Sequence, residues 1–361
     1  MKIYFAVVHA FFFFVVGADV GAEQKVHAAV TASDAVVGFA ISEESDGLTI
    51  TVDGDLFARY VIDQANKPYL WPIHGPTGKS MTRAYPMQDV ASEGSEQRDH
   101  PHHRGLLFGH ENIVKKTGET SSGGDTWHER ATFEKQAQNP KTAAQGKRQM
   151  ATLASIVHRD FTELEATSDH AVVAENCDYV DQSGNRSLTE HRRMVFSVTD
   201  AARMIDFQQV FTASDGEVVI DDRKDAGLSI RVPTTMAVVS NEGGHIINSD
   251  GLGDGEAWSQ AAKWCDYHGP VEGEHLGIAI LNHPSSYRFP TRWHVREYGL
   301  FTANPFAQRS FDDSLADGAI SLQDGEQLTL KHRFIFHQGD AVAGQIEQAW
   351  QSYAKEGASN E

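Results

Sequence analysis

Residues 99–110 read DHPHHRGLLFGH, and DTWHE follows at 125–129. His100, His102, His103, His110 and His128, five of the eighteen histidines, fall in these two stretches beside Asp99, Arg104, Glu111 and Glu129. Imidazole titrates near neutrality, so it can give or take a proton at working pH, and a neighbouring Asp or Arg tunes it. It is also a common zinc ligand, and polar loop residues often do no more than satisfy nearby backbone groups. Proton transfer, metal binding and loop scaffolding are the three readings of this stretch. His102, His103 and His110 are the candidate catalytic groups. No spacing reproduces a compact zinc signature such as H-E-x-x-H, so no metal and no other cofactor is expected.

Partners come from two further stretches. In TRWHVREYGLFTANPFA, at 291–307, strand alternation puts Arg292, His294, Arg296 and Tyr298 on one face and Trp293, Val295 and Glu297 on the other. RKDAGLSIRVP, at 223–233, adds Lys224 and Arg231. Planar guanidinium donors beside aromatic faces match the hydroxyls and apolar ring face of a sugar. Arg104, Lys224, Arg231, His294, Arg296 and Tyr298 are therefore the candidate substrate-binding residues. Glu190, His191 and Arg192 form a similar polar cluster, expected to back the site residues without touching substrate or to be peripheral.

The elements that position them read as strands. Leu48 to Ile62 alternates around Asp53-Gly54, a hairpin signal. Similar runs recur at His170 to Val180, Ser187 to Val198, Arg203 to Ala213, Glu217 to Asp221, Leu228 to Val232, Leu276 to Asn282 and Ile320 to Phe336. After Pro101, residues 99–103 are expected to be extended or turning, with His102 and Arg104 on one face if a strand follows. The clearest helix is 340–357, with Asp340 as N-cap and Gly357 as stop. Residues 137–149 read as a connection. The expectation is an all-β chain, a single large antiparallel sandwich over 23–361 with a C-terminal helix.

Residues 1–22 combine a lysine, an apolar run and a small-residue cleavage site, the pattern of a secretory signal peptide. A periplasmic or secreted location is expected. Their removal takes one lysine and one aspartate and leaves the net charge at −19. That charge offers no footprint for nucleic acid and opposes long-range attraction to sulfated or uronic polysaccharides unless a local basic cleft overrides it. No later run is long and apolar enough for a membrane-spanning helix. Cys177 and Cys265 are too few for a disulfide scaffold, though one bridge between them is permitted.

Four blocks taken together carry a resemblance: KPYLWPIHGPTGKSMTRAYP at 67–86, DHPHHRGLLFGHENI at 99–113, RKDAGLSIRVP at 223–233, and NHPSSYRFPTRWHVREYGLFTANPFA at 282–307. The combination resembles the exported bacterial family catalogued as PmoA-like, a label borrowed from methane oxygenase. The resemblance implies a large antiparallel sandwich similar to the supersandwich of galactose mutarotases and several carbohydrate lyases. It points to an exported carbohydrate-active enzyme of lyase, epimerase or hydrolase type using histidine acid–base chemistry. The alternatives are a non-catalytic carbohydrate-binding protein and a metal-dependent enzyme built on the histidine cluster.

Overall fold

The computed structural model describes residues 3–4, 38–91, 93–94, 97–117 and 120–356. The signal-peptide reading of 1–22 and the Gly357 stop therefore fall on residues outside the description, Ile3 and Tyr4 excepted.

Two large antiparallel sheets face one another. The first has nine strands in the order Ile3–Tyr4, Phe39–Glu44, Gly47–Val52, Asp55–Val61, Tyr69–Ile73, Leu106–His110, Ala226–Arg231, Leu300–Asn304 and Arg292–Val295. The second has eight, from His245–Asn248 through Trp264–Val271, Glu274–Asn282, Gln327–Gln338, Ala202–Thr212, Arg186–Val198 and His170–Asp181 to Ala154–Ala166. A four-stranded sheet, including Ile113–Thr117 and Val218–Ile220, packs alongside. The predicted hairpin forms at Asp53-Gly54, where both residues have positive φ, as a two-residue turn matched to strand twist requires.

The two sheets bury one apolar cluster between them. Leu48, Phe57, Phe108, Leu228 and Phe301 come from the first, and Val173, Phe196, Ile205, Phe207 and Phe334 from the second. Along Ala202–Thr212 every second residue is buried, as expected where one face meets the core and the other meets water. Leu106–His110 and Leu300–Asn304 are buried at every position. Their outer face is covered too, and the covering segments carry the histidines.

Four expectations need correction. Residues 137–149 are not a plain connection: Arg130–Gln138 and Ala143–Ala151 are helices, parted at 139–142. They pack so closely that a Cβ on Gly146 would sit 2.6 Å from the Ala137 nitrogen, yet only Phe133 and Gly146 are buried, so little apolar period was written there. The final helix is shorter than expected, Ile346–Tyr353: Asp340 accepts from the Val342 and Ala343 amides, but left-handed Gln345 ends that turn before the helix begins. The run from Ile320 to Phe336 is two strands, Ile320–Leu322 and Gln327–Gln338, separated by a turn with Gly325 at φ 80°. Glu190 and Arg192 are not peripheral but paired in the core, at 2.8 Å, among Tyr60, Glu175, Tyr179 and Gln209. Cys177 and Cys265 are free and buried, with four strands of the second sheet between theirs.

Candidate functional site: a histidine cluster on the outer face of the nine-stranded sheet

His294, Thr302, Ser229 and Leu107 are Cα partners across four adjacent strands, so their side chains share one face. The Ser229 and Thr302 hydroxyls meet at 2.6 Å. Trp293, Val295, Phe301 and Phe108 belong to the core, which places the row on the outer face. Two segments fold over it. The first, 99–104, enters the sheet through Gly105 at φ 48°, where a Cβ would lie 2.1 Å from the Leu70 carbonyl oxygen. That turn replaces the expected strand alternation. His102 and His103 are both buried, at 3% and 4% exposure.

The second segment is the DTWHE turn. Asp125 Oδ1 accepts from the Trp127 and His128 amides, each at 2.9 Å, and Gly109 lets the turn approach, since a Cβ there would be 3.0 Å from Trp127 Cα. Lys67 lies fully buried beneath, donating to Asn66 Oδ1 at 2.7 Å and the Trp127 carbonyl at 3.0 Å, with Glu129 at 3.7 Å. Burial lowers its ammonium to about 8, against the opposing pull of Glu129 and Asp125.

Five imidazoles gather where these segments meet the sheet. The His102 ring centroid is 4.3 Å from that of His103 and 4.7 Å from that of His128. His100 lies parallel to His103 at 4.8 Å and to Tyr298 at 5.1 Å. Trp127 closes the floor, 5.5 Å from His103. Arg231 lies 4.8 Å from the Tyr298 ring centre, and Arg296 spans Tyr298 and Trp258 at 5.7 and 5.5 Å.

Their hydrogen-bond partners fix where protons sit. Arg231 can only donate, so His103 Nδ1, 3.0 Å from its guanidinium, is an acceptor and the ring proton is on Nε2. His294 is the converse: Nδ1 donates to the Lys224 carbonyl at 2.6 Å, which leaves a lone pair on Nε2. His128 Nδ1 meets the Asp125 carboxylate at 2.8 Å, and among the described residues nothing bonds its Nε2. Burial, then His102 and Arg231, push His103 well below the usual histidine range. Burial and His128 do the same to His102, and burial lowers His294 to about 4 although Asp225 opposes it. His103 and His294 are thus neutral rings, the first with an N–H on Nε2 and the second with a lone pair there. Glu111 adds a carboxyl raised by burial and by Asp225.

Of the residues singled out in the sequence, His102, His103, Arg231, His294, Arg296 and Tyr298 come together. His110 does not. It alternates with Leu106 and Phe108, faces the sandwich interior with its ring 5.0 Å from Phe306, and is lowered to about 4 by burial. Arg104 is held by both oxygens of Glu129, at 2.8 and 2.9 Å, and braces the turn. Lys224 contributes its carbonyl, while its side chain is exposed. Sequence reasoning passed over Lys67, Arg83 and the pairings of Asp99 and Asp125. The signals were a lysine inside the apolar KPYLWP stretch and an aspartate three residues before His128.

Each Nδ1 of the five site imidazoles is occupied, by Asp99, Thr132, Arg231, Asp125 or the Lys224 carbonyl. Among the described residues no group of three or more histidines, cysteines or carboxylates is arranged to hold a metal ion.

No curated protein matches the sequence. Among solved structures, galactose 1-epimerase from Lactobacillus acidophilus is similar at 12% identity and TM-score 0.38, over 83% of this chain and 98% of that one. A galactose mutarotase-like protein from Lactobacillus casei gives 8% and 0.37, over 83% and 100%. An α-galactosidase from Geobacillus stearothermophilus gives 11% and 0.40, over 84% of this chain and 42% of that one. These overlaps are loose, and the functional reading stands on the chain's own residues. A family model matches residues 47–351, and its description contains nothing of methane oxygenase, so the PmoA label finds no support there. With most of its length matched, the chain belongs to the family of unknown function DUF6807.

Proposed function

We propose that the protein is a carbohydrate-active enzyme whose outer-face cleft binds a sugar and moves protons on it through histidine. The observation that carries the reading is the opposed proton placement. His103, on the covering segment, offers an Nε2 proton, and His294, on the sheet face, offers an Nε2 lone pair, both on neutral rings. His128, with its Nδ1 proton held by Asp125, is the more accessible base, its side chain 14% exposed at the mouth. Planar Trp258, beside Arg296, suits a sugar ring face and its hydroxyls. The apolar N-terminal stretch supports export as the setting of this activity.

The test pairs activity with stability. His128→Gln should lower turnover on a responsive sugar by about 10² to 10⁴-fold while leaving the melting curve nearly unchanged. A panel of mono- and oligosaccharides, read by NMR for epimerisation, elimination and hydrolysis, supplies the substrate. Sugar binding without turnover in the wild type would leave a binding protein, and loss of stability in step with activity would make the cluster scaffold.

A further inference from the structure

Beside the histidine rings lies a cavity of about 180 Å³ lined by Arg83, Asp99, Arg231, Thr234, Ser240 and Tyr298 among others. Two of these are guanidiniums that have left solvent, Arg83 at 4% and Arg231 at 2% exposure. They share one carboxylate: Asp99 Oδ1 is 2.6 Å from Arg231 and 3.6 Å from Arg83. Asp99 also binds His100 through its other oxygen, at 2.6 Å. The remaining Arg83 contacts are carbonyls, of Tyr298 at 3.2 Å and Gln97 at 3.5 Å. Arg83 Nε and Arg231 Nε are buried without a partner. Across Tyr298, Arg296 is offset by Asp225, and Glu93 is bonded to Thr234 at 2.8 Å. The lining itself sets two guanidiniums against the single carboxylate of Asp99, in a chain of net charge −19.

A buried guanidinium needs a paired anion, and a planar carboxylate matches its fork of donors. Burial, then repulsion from Arg231, lowers Arg83 to about 10, against the pull of Asp99 and Glu93. We infer that this cavity is a carboxylate subsite, and that the sugar bound at the histidine cleft carries an acidic group, as a uronic acid does, seated between Arg83 and Arg231 beside Tyr298. The cavity adjoins the histidines through two residues, since Asp99 holds His100 and Arg231 holds His103. It is the local basic cleft that the overall negative charge would otherwise make unexpected. The inference rests on the sugar-binding reading above and names the class of sugar.

The experiment is binding of twin probes that differ only in the acid: methyl β-glucuronide against methyl β-glucoside, and the galacto pair, by calorimetry at low and high salt. The acidic twin of at least one pair should bind tenfold or more tighter, and its advantage should shrink as salt rises. Arg83→Gln should bring the twins to within about twofold, whereas Arg83→Lys, which keeps the charge, should retain part of the preference. Thermal unfolding checks that both variants fold, and the wild-type salt series needs no variant. Twins that bind equally well would overturn the carboxylate subsite while leaving the sugar site intact. If no twin of either pair binds, the sugar reading fails and takes the subsite with it.

Discussion

Two histidine groups occupy the outer faces of the two large sheets, and they are built in opposite ways. On the eight-stranded sheet, His337 Nε2 meets Asp266 Oδ2 at 2.6 Å and its Nδ1 meets the Gln338 carbonyl at 3.2 Å. Both nitrogens face acceptors, so the ring carries two protons. Burial is the largest influence and opposes that charge, but the hydrogen bond and charge of Asp266, with the Gln338 carbonyl and Asp340, together hold His337 above the usual range. His268 binds the other oxygen of Asp266 at 2.6 Å. The ring is clamped on both sides: a Cβ on Gly277 would fall 2.2 Å from its Cε1, and one on Gly344 2.5 Å from its Nδ1. On the nine-stranded sheet, His103 faces an arginine and other imidazoles and is held neutral. Histidine density is thus no guide to function. What faces each ring decides: His337, with an acceptor at both nitrogens, is a charged fastening, whereas His103 against Arg231 and His294 buried on a backbone carbonyl stay neutral.

The largest separation of the two groups should come from Asp266→Asn. Losing one partner of a buried ion pair costs about 3–5 kcal/mol, so the melting temperature should fall sharply while sugar selectivity in the folded fraction persists. Calorimetry and binding on the same sample check it, and a variant that melts like the wild type would put the charged fastening in doubt.

The pH dependence of stability separates them by sign. His102, His103, His110 and His294 are all depressed in the fold, so below about pH 6.5 the unfolded chain binds more protons than the folded one. Their neutrality supports the fold above that pH, and stability should fall as pH drops from 6.5 toward 4, by up to about 1.4 kcal/mol per pH unit for each histidine. His337 is raised, so its contribution is complete below about 6.5 and is lost as pH climbs through its raised value. Depressed Asp266 contributes above about 3.8 and is lost on acidification through its lowered value. Unfolding across pH 4–9 should show a steep acid limb, and His337→Gln should flatten the loss above neutrality. An acid limb no steeper than one histidine would give contradicts the neutral cluster.

The smallest effect belongs to Lys224→Ala. Its side chain is exposed and the site uses only its carbonyl, so stability should stay within about 0.5 kcal/mol and sugar binding should hold. A clear loss of binding would return the side chain to the site.

Much of this was legible from residue order. Period-two alternation disclosed the hairpin at Asp53-Gly54 and the long strands from His170 to Thr212 but not Ala154–Ala166 or Trp264–Val271, and the alternation from Arg292 to Tyr298 separated core-facing Trp293 and Val295 from site-facing His294. What defeated the reading was local backbone and long-range pairing. Gly105 at φ 48° breaks the alternation that would have set His102 against His103, and His110 falls on the core face although it shares their stretch. Lys67 and Arg83 acquire their partners only when the chain folds, from residues 60 and 16 positions away. The two short helices carry too few buried apolar residues to write a helical period.

The central claim is that the outer face of the nine-stranded sheet is a working site and that of the eight-stranded sheet is not. The direct measurement is a long-range ¹H–¹⁵N spectrum of the imidazole rings, with and without a binding sugar. The account predicts neutral rings with the proton on Nε2 of His103 and Nδ1 of His294 near pH 7, a doubly protonated His337, and sugar-induced shifts confined to His100, His102, His103, His128 and His294. A charged His103, or shifts at His268 and His337 with none in the cleft, would contradict it.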